Sequence, residues 1–243
     1  MTMGARTNCE IKSNGQQRFI SSSVVRTGTA SILLALAAPV FSGTDVSLTG
    51  SVTQTNISGF AGTPFTVGHP EGTQAVYGVW SVERNDKPCY VGALTENVNN
   101  SKDNSGEIKS LCGETPTSKE MKVQFGGIKF AERTFVRALR VCMNKDNTRL
   151  KGFQIRGRKI DENGNVSDLP VRYPDSSSSS GLTPLVDLNA PSDQRPNCDG
   201  WKKWVECSQN QIATAITAHF SAGSNPRSVT GIALQCRAVG KGE

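Results

Sequence analysis

Histidine is scarce in this 243-residue chain, and helical periodicity is missing from it. The only histidines are His69 and His219, so a Ser-His-acid triad has little from which to draw a base. Beyond residue 42, no window carries apolar residues at i, i+3, i+4 and i+7 over three turns, which argues against a helical fold for that part of the chain. No two of the cysteines from Cys89 onward have CxxC spacing, which argues against a zinc site. We expect no catalytic residues, no metal and no cofactor.

Long apolar runs are also missing. The one uninterrupted run is Ala30 to Val40, too short for the roughly 20 residues that cross a bilayer. It follows a basic stretch that contains Arg18 and Arg26. This arrangement is typical of a secretory signal, with a buried core helix as the alternative. We therefore expect no membrane span.

The signal interpretation sets the expected domain boundaries. Small residues at Val40 and Ser42 predict cleavage after Ser42 or Gly43. Residues 1–42 are then the signal peptide, with an over-extended start and a true beginning near residue 25 as a further possibility. Residues 43–243 are expected to form one domain of a secreted or otherwise extracytoplasmic protein.

The net charge is small once the predicted signal peptide is excluded. Four of the 27 basic and one of the 21 acidic side chains lie in residues 1–42, which leaves 23 and 20 and a formal charge of +3. We expect no nucleic-acid partner from so small an excess. One basic cluster stands out, and a solvated hairpin face or a polyanion site would each explain it; no aromatic residues are interleaved in it for base stacking. Its members are Arg133, Arg137, Arg140, Arg149, Lys151, Arg156, Arg158 and Lys159.

Cysteine usage supports export. Cys9 belongs to the leader, and an even set of six remains, which an oxidising compartment would pair into three disulfides. Six cysteines allow 15 pairings, and spacing alone leaves them open. They are Cys89, Cys112, Cys142, Cys198, Cys207 and Cys236.

A β-hairpin pattern occurs twice. Residues 136–158 and 213–237 each read as an apolar strand, a polar turn and a second strand, and Ala138 aligns with Ala215 as Gly152 does with Gly231. Such a repeat indicates a fold assembled from like units. Alternation predicts one inward face on each first strand, with Arg137 and Thr214 as exceptions. Those predicted faces comprise Phe135, Leu139, Val141 and Met143 in one copy and Ile212, Ile216, Ala218 and Phe220 in the other.

The return strands and an earlier segment extend this pattern. Phe153 and Ile155 are predicted to point inward, as are Ile232 and Leu234, and the paired glycines predict a bulge or a close strand approach. A third copy is expected at residues 78–86, aligned so that Trp80 matches Leu139. Polar stretches predict a Ser- and Pro-rich surface loop at about residues 174–197 and another at residues 99–106.

Two segments resemble the vitelline membrane outer layer protein family. Asp146 to Ile155, DNTRLKGFQI, is similar to the family's DDTALNGIRL segment. Trp201-Lys-Lys-Trp204-Val-Glu-Cys207 followed by VTGIALQC, ending at Cys236, is similar to the family's tryptophan pair, cysteine and NGIxLxC strand. The resemblance covers roughly residues 118–237.

This resemblance implies an all-β fold. The family has a β-prism of three Greek-key sheets, an architecture shared with jacalin-type lectins, and its pattern implies a Cys207 to Cys236 bridge. The chain departs from the family at Asn225-Pro-Arg-Ser, where an acidic pair is common. The glycine-rich and aspartate-bearing sugar loops of jacalin-type lectins are not evident either, which puts sugar binding through that particular site in doubt.

Four side chains are candidates for ligand binding. Trp201 and Trp204 are interpreted either as an aromatic platform for sugar rings or as core or inter-sheet packing residues. Arg156 and Arg158 are the candidates from the basic cluster. Asp161 to Asn165, DENGN, could be part of a calcium loop, but its closing glutamate is missing and a hairpin turn explains it as well.

The function expected from these observations is binding without catalysis. An analogy from the prism favours a glycan or glycoconjugate of an envelope, coat or matrix as the partner. A structural coat component or a protein-docking module, such as an inhibitor of a secreted enzyme, is the alternative. An exported hydrolase is the third hypothesis, since a spatial carboxylate pair need not be adjacent in sequence.

Overall fold

The chain folds as a set of β-strands. The computed structural model describes residues 45–99, 104–113, 119–125, 133–161, 163–170, 190–223 and 226–242. The predicted signal peptide and most of the predicted 174–197 loop lie outside these ranges. The strands found within them are β1 (Val46–Gln54), β2 (Ser58–Gly59), β3 (Thr63–Gly68), β4 (Gln74–Arg84), β5 (Lys87–Asn97), β6 (Asn104–Ser110), β7 (Lys119–Gln124), β8 (Arg133–Met143), β9 (Leu150–Ile160), β10 (Val166–Asp168), β11 (Ser192–Gln194), β12 (Gly200–Trp201), β13 (Val205–Glu206), β14 (Gln211–Phe220) and β15 (Val229–Lys241).

These strands form three antiparallel sheets, each built on a central hairpin. Sheet 1 has the order β6-β5-β4-β7. Sheet 2 has the order β10-β9-β8-β12, with β11 also pairing β9 and β13 also pairing β8. Sheet 3 has the order β1-β15-β14-β3, with β2 also pairing β15. Within the described ranges, no helix is long and apolar enough to span a membrane.

The three hairpins surround one core. Their first strands, β4, β8 and β14, contact one another pairwise, so each sheet presents one face to a shared interior. Fully buried Val79, Leu139 and Ile216 meet there, one from each hairpin. The predicted inward residues of the return strands also lie in this cluster. The expected all-β prism fold is confirmed.

Each hairpin contains two β-bulges at equivalent places. On the first strand one residue is left unpaired between ladder partners: Tyr77 in sheet 1, Arg137 in sheet 2 and Thr214 in sheet 3. The two exceptions to the predicted alternation, Arg137 and Thr214, are therefore bulge residues. A bulge adds one residue to one strand, so it reverses which face the following side chains take.

That reversal corrects one prediction. Phe135 and Ile212 precede the bulge, and they do not share the face of Leu139 and Ile216. Instead they pack in a second cluster with Ala75, their equivalent in sheet 1. Their neighbours Val136 and Ala213 are the residues that enter the shared core.

The bulges on the return strands explain the paired glycines. The unpaired residues are Cys89, Lys151 and Thr230. Gly152 and Gly231 come directly after two of them, where neighbouring chain approaches closely. A Cβ at Gly152 would lie 2.8 Å from the Cβ of Gln194, and one at Gly231 would lie 2.6 Å from the carbonyl oxygen of Phe60.

The third hairpin copy exists, but its predicted alignment is wrong by one residue. Equivalent bulges place Val79, not Trp80, at the position of Leu139. Val79 is fully buried, while Trp80 lies on the outer face of sheet 1 beside Tyr90 at a ring-centroid distance of 4.9 Å.

Both predicted loops include strand residues. The loop expected at residues 99–106 overlaps β6, which begins at Asn104. The loop expected at residues 174–197 overlaps β11, where Ser192 pairs with Gln154 on β9. β11 has only three residues, and β6 has a single large apolar residue among its seven, so alternation gives too weak a signal to identify either strand.

Candidate ligand-binding site

A pocket opens where three segments meet at one end of the prism. The segments are the β4–β5 turn, the β8–β9 turn and the chain between β11 and β12. The pocket has a volume of about 410 Å³, and we name it the turn pocket. Its lining residues are Asp86, Asn144, Lys145, Asp146, Arg149, Pro196, Asn197, Cys198 and Asp199.

Local sequence shapes the two turns. Asn85 and Asp86 have φ values of 51° and 61°, as both central residues of a type I′ turn require. In the β8–β9 turn, the Asn144 Oδ1 accepts hydrogen bonds from the backbone N–H groups of Thr148 and Arg149, both at 2.9 Å. These contacts fix the turn backbone, so the pocket rim is held by its own side chains.

A buried ion network lies at the base of the turn pocket. The side chain of Lys151 is fully buried, and its Nζ donates to Glu83 Oε1 at 2.7 Å and to Asp86 Oδ1 at 2.7 Å. It also donates to the Asp86 backbone oxygen at 2.8 Å. The hydrogen bond from Lys151 is the main reason that the pKa of Asp86 is lowered. Asp86 is therefore a carboxylate at neutral pH.

A disulfide holds the third wall of the turn pocket. Cys142 on β8 is bonded to Cys198, with 5.6 Å between their Cα atoms. The Asp199 N–H also donates to the Met143 backbone oxygen at 2.9 Å. The Asp199 side chain is thus presented from a segment that is tied to the central hairpin.

The lining of the turn pocket is rich in oxygen atoms. Asp146 and Asp199 are exposed and make no side-chain hydrogen bond or ion pair to the described part of the chain, unlike Asp86. Asn197 also lines the pocket and donates to Asp86 Oδ1 at 3.3 Å. The pocket therefore offers two available carboxylates beside amide groups, a set that hydrogen-bonds hydroxyl donors well.

A tryptophan and arginine face begins beside the turn pocket. The Cζ of Arg140 lies 5.0 Å from the ring centroid of Trp201 and 4.9 Å from that of Trp204. The Cζ of Arg156 lies 4.2 Å from the Trp204 centroid. The rings and guanidinium groups are all partly exposed on the outer face of sheet 2. These four residues form what we call the Trp–Arg face.

The structure thus places three of the predicted ligand-binding residues together. Trp201, Trp204 and Arg156 share the Trp–Arg face, and Trp201 follows Asp199 by two residues. Neither tryptophan belongs to the buried core, and both are partly exposed. Each ring packs against an arginine, so a packing role and a platform role are both compatible with this position. The Lys202 Nζ, between them in sequence, contacts Asn147 in the β8–β9 turn.

Arg158 lies apart from the other three. Its side chain is 5% exposed, and its Nε donates to Asp168 Oδ1 at 2.6 Å. Its Nη1 donates to the backbone oxygens of Ser208 and Gln211. Arg158 therefore ties sheet 2 to the start of β14, at the opposite end of β9 from the turn pocket.

The predicted basic cluster is not a solvated hairpin face as a whole. Arg137, Lys151 and Arg158 are at most 6% exposed and are held in ion pairs. Arg140 and Arg156 do lie outside, but against aromatic rings. Those rings come from a segment about 50 residues later, so the sequence around the cluster does not reveal them.

Two other sequence candidates have structural roles. His219 is 6% exposed and holds the place on β14 that Cys142 holds on β8, since each pairs with the glycine of its own return strand. The His219 Nδ1 lies 3.3 Å from the Gly62 backbone nitrogen. Asp161 closes a hairpin turn, because its Oδ1 accepts from the backbone N–H groups of Asn163 and Asn165, both at 2.8 Å. The hydrogen bonds from Asn165 lower the pKa of Asp161. The hairpin-turn interpretation therefore accounts for this segment.

All six predicted cysteines are paired. The bonds are Cys89–Cys112, Cys142–Cys198 and Cys207–Cys236. The last is the pairing that the family resemblance implies. It joins Cys207, which directly follows β13, to Cys236 on β15, and so links sheet 2 to sheet 3.

The residues that line the turn pocket did not emerge as candidates from the sequence. Asp86, Asp146 and Asp199 lie in turns, where acidic residues are common. The available signal was the repeat itself, because correctly aligned hairpins place their turns at the same end.

No family model and no curated protein sequence matches this chain. Among solved structures, the chain is similar to the Calystegia sepium agglutinin at 9% identity and a TM-score of 0.45, covering 78% of this chain and 99% of that one. It is similar to a mannose-specific jacalin-related lectin from Morus nigra, in complex with mannose, at 8% identity and a TM-score of 0.41, covering 78% and 96%. It is also similar to a mannose-binding lectin from Champedak at 7% identity and a TM-score of 0.40, covering 78% and 99%.

Proposed function

We propose that this chain is a non-catalytic binding protein that recognises a glycan at the turn pocket. The observation that carries the proposal is the pair of available carboxylates, Asp146 and Asp199, beside amide groups in an open pocket of about 410 Å³. Sugar hydroxyls donate and accept hydrogen bonds, and carboxylates accept them in a charge-assisted form that is stronger than a neutral one. A few convergent polar groups of this kind set the orientation of a ligand.

Trp201 supplies the apolar complement to these oxygen atoms. Its ring is partly exposed and follows Asp199 closely along the chain. An aromatic face packs against the C–H groups of a sugar ring, while the polar atoms hold the hydroxyls. The proposed site therefore extends from the turn pocket onto the Trp–Arg face, with Arg156 at its far side.

The charge of the turn pocket favours a neutral glycan. Its three carboxylates, Asp86, Asp146 and Asp199, outnumber its two cations, Lys145 and Arg149. Arg149 is already paired with Asp86 at 3.1 Å. A polyanion would meet repulsion here, since like charges brought close together are unfavourable.

The same carboxylates support binding in preference to hydrolysis. A glycosidase needs one carboxylic acid with a raised pKa to protonate the leaving group. The pKa of Asp86 moves in the opposite direction because Lys151 donates to it. Asp86 is therefore a poor general acid, and it functions as a fixed charge.

The proposal includes export. Residues 1–42 carry a basic stretch and an apolar run that are typical of a secretory signal, and residues 43–243 would form the mature domain. Three disulfides in the described chain suit an oxidising compartment. We also propose kinship with the vitelline membrane outer layer proteins, which the Cys207–Cys236 bond and the repeated hairpins support.

Protein docking is the second candidate function, and one surface favours it. The outer face of sheet 1 carries Trp80, Tyr90 and Ile108, and Ile108 is 49% exposed. Partly exposed apolar groups on one sheet face are typical of a contact surface. On this hypothesis sheet 1, and not the turn pocket, would contact the partner.

A glycan-array screen of the disulfide-bonded protein tests the main proposal. We expect binding to a neutral glycan, and we expect Asp146→Asn and Asp199→Asn each to weaken it about tenfold or more, because each loses a charge-assisted hydrogen bond. Trp201→Ala should also weaken it. Glu71→Gln is the matched control, since it changes an exposed carboxylate that does not line the pocket.

Two outcomes would contradict the proposal. If no glycan binds, the docking hypothesis takes its place. If a glycan binds but the aspartate variants bind as tightly as Glu71→Gln, the site lies elsewhere.

A further inference from the structure

A second, smaller pocket lies at the other end of β9. It has a volume of about 200 Å³ and is lined by Arg158, Val166, Asp168, Gln209 and Asn210. We name it the Arg158 pocket. Its residues come from β9, from β10 and from the turn before β14, and none of them lines the turn pocket.

Arg158 is held rigidly in this pocket. It is 96% buried as a residue, and its Nε and Nη1 are fixed by Asp168 and by two backbone oxygens at distances of 2.6 to 2.8 Å. Its Nη2 makes no hydrogen bond within the described part of the chain. A guanidinium that is fixed at two nitrogens presents its remaining N–H donors in one direction, with little entropy left to lose on binding.

The other polar groups of the pocket complement this donor. Asp168 Oδ1 accepts from Arg158, while Oδ2 makes no hydrogen bond to the described residues. The side-chain amides of Gln209 and Asn210 are exposed and also make none. The pocket therefore combines a fixed donor, an anionic acceptor and two amides that can donate or accept.

We propose that the Arg158 pocket binds the adjacent hydroxyls of a single neutral sugar ring. An anion would be repelled by Asp168 and a cation by Arg158, whereas a hydroxyl pair can accept from Arg158 Nη2 and donate to Asp168 Oδ2. Val166 provides an apolar surface for the C–H groups of the ring. A volume of about 200 Å³ is below the roughly 300–1,000 Å³ of sites for larger ligands, which suits one ring.

The two pockets are too far apart to hold one ring between them. Arg149 lines the turn pocket and Arg158 lines the second, and the eight residues between them belong to β9, so the two Cα atoms are nine residue steps apart. At about 3.3 Å per residue, the separation is about 30 Å. The Arg158 pocket is therefore an independent site, and its existence does not depend on binding at the turn pocket.

NMR titration of the full, ¹⁵N-labelled chain tests this inference. The probes are the methyl glycosides of mannose, glucose, galactose and N-acetylglucosamine, each added alone. We expect at least one to shift the side-chain amide signals of Gln209 and Asn210 in a saturable manner. These signals report on the Arg158 pocket directly, whatever happens at the turn pocket.

Two substitutions and one control locate the binding. Gln209→Ala and Asn210→Gly each remove an exposed amide, and glycine tolerates the φ of 61° found at Asn210. Each substitution should raise the dissociation constant about three- to tenfold, which is the effect of one lost hydrogen bond. Asn147→Gly is the matched control, because it makes the same change at a φ of 57° near the other end of β9.

The proposal is overturned if none of the four glycosides shifts these signals. It is also overturned if inorganic sulfate shifts them and the glycosides do not, since the pocket would then be an anion site. Equal affinities for the two variants and for Asn147→Gly would assign the binding to another surface.

Discussion

Replacing Lys151 by methionine should cost the protein much of its stability. Lys151 Nζ is fully buried and donates three hydrogen bonds, to Glu83 Oε1, Asp86 Oδ1 and the Asp86 backbone oxygen. Methionine keeps the apolar stem but removes the charge and the donors. Glu83, only 2% exposed, would then be a buried carboxylate whose nearest described cation is Arg195, at 3.8 Å.

The expected magnitude follows from that loss. Removing one partner of a buried ion pair costs about 3–5 kcal/mol, because the remaining charge is uncompensated. Arg195 offsets part of this, so we expect a decrease of about 3–4 kcal/mol in the free energy of unfolding. A double variant with Glu83→Leu should recover most of the loss, since replacing both members of a buried pair by apolar groups is often close to neutral.

Guanidinium unfolding, followed by tryptophan fluorescence with the disulfides intact, measures these differences. Lys145→Met serves as the control, because it removes an exposed lysine from the neighbouring turn and should change stability by less than about 0.5 kcal/mol. A loss below about 1 kcal/mol for Lys151→Met would refute the reasoning. So would a double variant that is less stable than the single one.

The same network predicts an acid response. The pKa of Asp86 is lowered, chiefly by the Lys151 hydrogen bond, from an ordinary value of 3.8. A carboxylate with a lowered folded pKa stabilises the protein above its unfolded pKa, and this stabilisation is lost as the pH falls through the folded pKa. The Asp86 side chain is 52% exposed, so solvent screening keeps the effect small. In Lys151→Met the pKa should return toward 3.8, and ¹³C titration of the Asp86 carboxyl measures it.

Two further changes test the packing and the cross-links. Gly92→Ala should cost about 1–3 kcal/mol, because the new Cβ would lie 2.0 Å from Trp80 Nε1, whereas Gly200→Ala meets nothing within 4 Å and should be nearly neutral in the same denaturant assay. Replacing both Cys207 and Cys236 by serine opens a loop that spans 29 residues, so the free energy of unfolding should fall by about 3–4 kcal/mol. A change below about 1 kcal/mol in either Gly92→Ala or the serine variant would contradict its explanation.

The hairpin repeat was the part of the structure that sequence could predict best. Apolar residues such as Leu139 and Ile216 alternate over about ten residues in each copy, and so regular a pattern is hard to mistake. The assignment of Phe135 and Ile212 failed because a bulge is a single inserted residue with no distinctive side chain. Arg137 and Thr214 are the bulge residues, but in the sequence each looks like a single exception to alternation. The sequence does not indicate that the side chains after them change face.

The candidate site was less predictable, because long-range pairing builds it. Trp201 lies on β12, which pairs with β8, and this places its ring against Arg140 about 60 residues earlier in the chain. The burial of Lys151 depends on Glu83 and Asp86, which belong to the β4–β5 hairpin of another sheet. Composition indicates charge, but only the packing of sheets decides which charges are buried and paired.

The order of the disulfides has a consequence for how the chain acquires them. The six cysteines in the described part of the chain are bonded in consecutive pairs, first to second, third to fourth and fifth to sixth. When these six cysteines emerge in chain order, the first of the six to follow an unpaired cysteine is therefore always its native partner. An oxidant that joins cysteines as they appear would produce the native set directly, without reshuffling. The connectivity lets each hairpin unit be cross-linked before the next is complete.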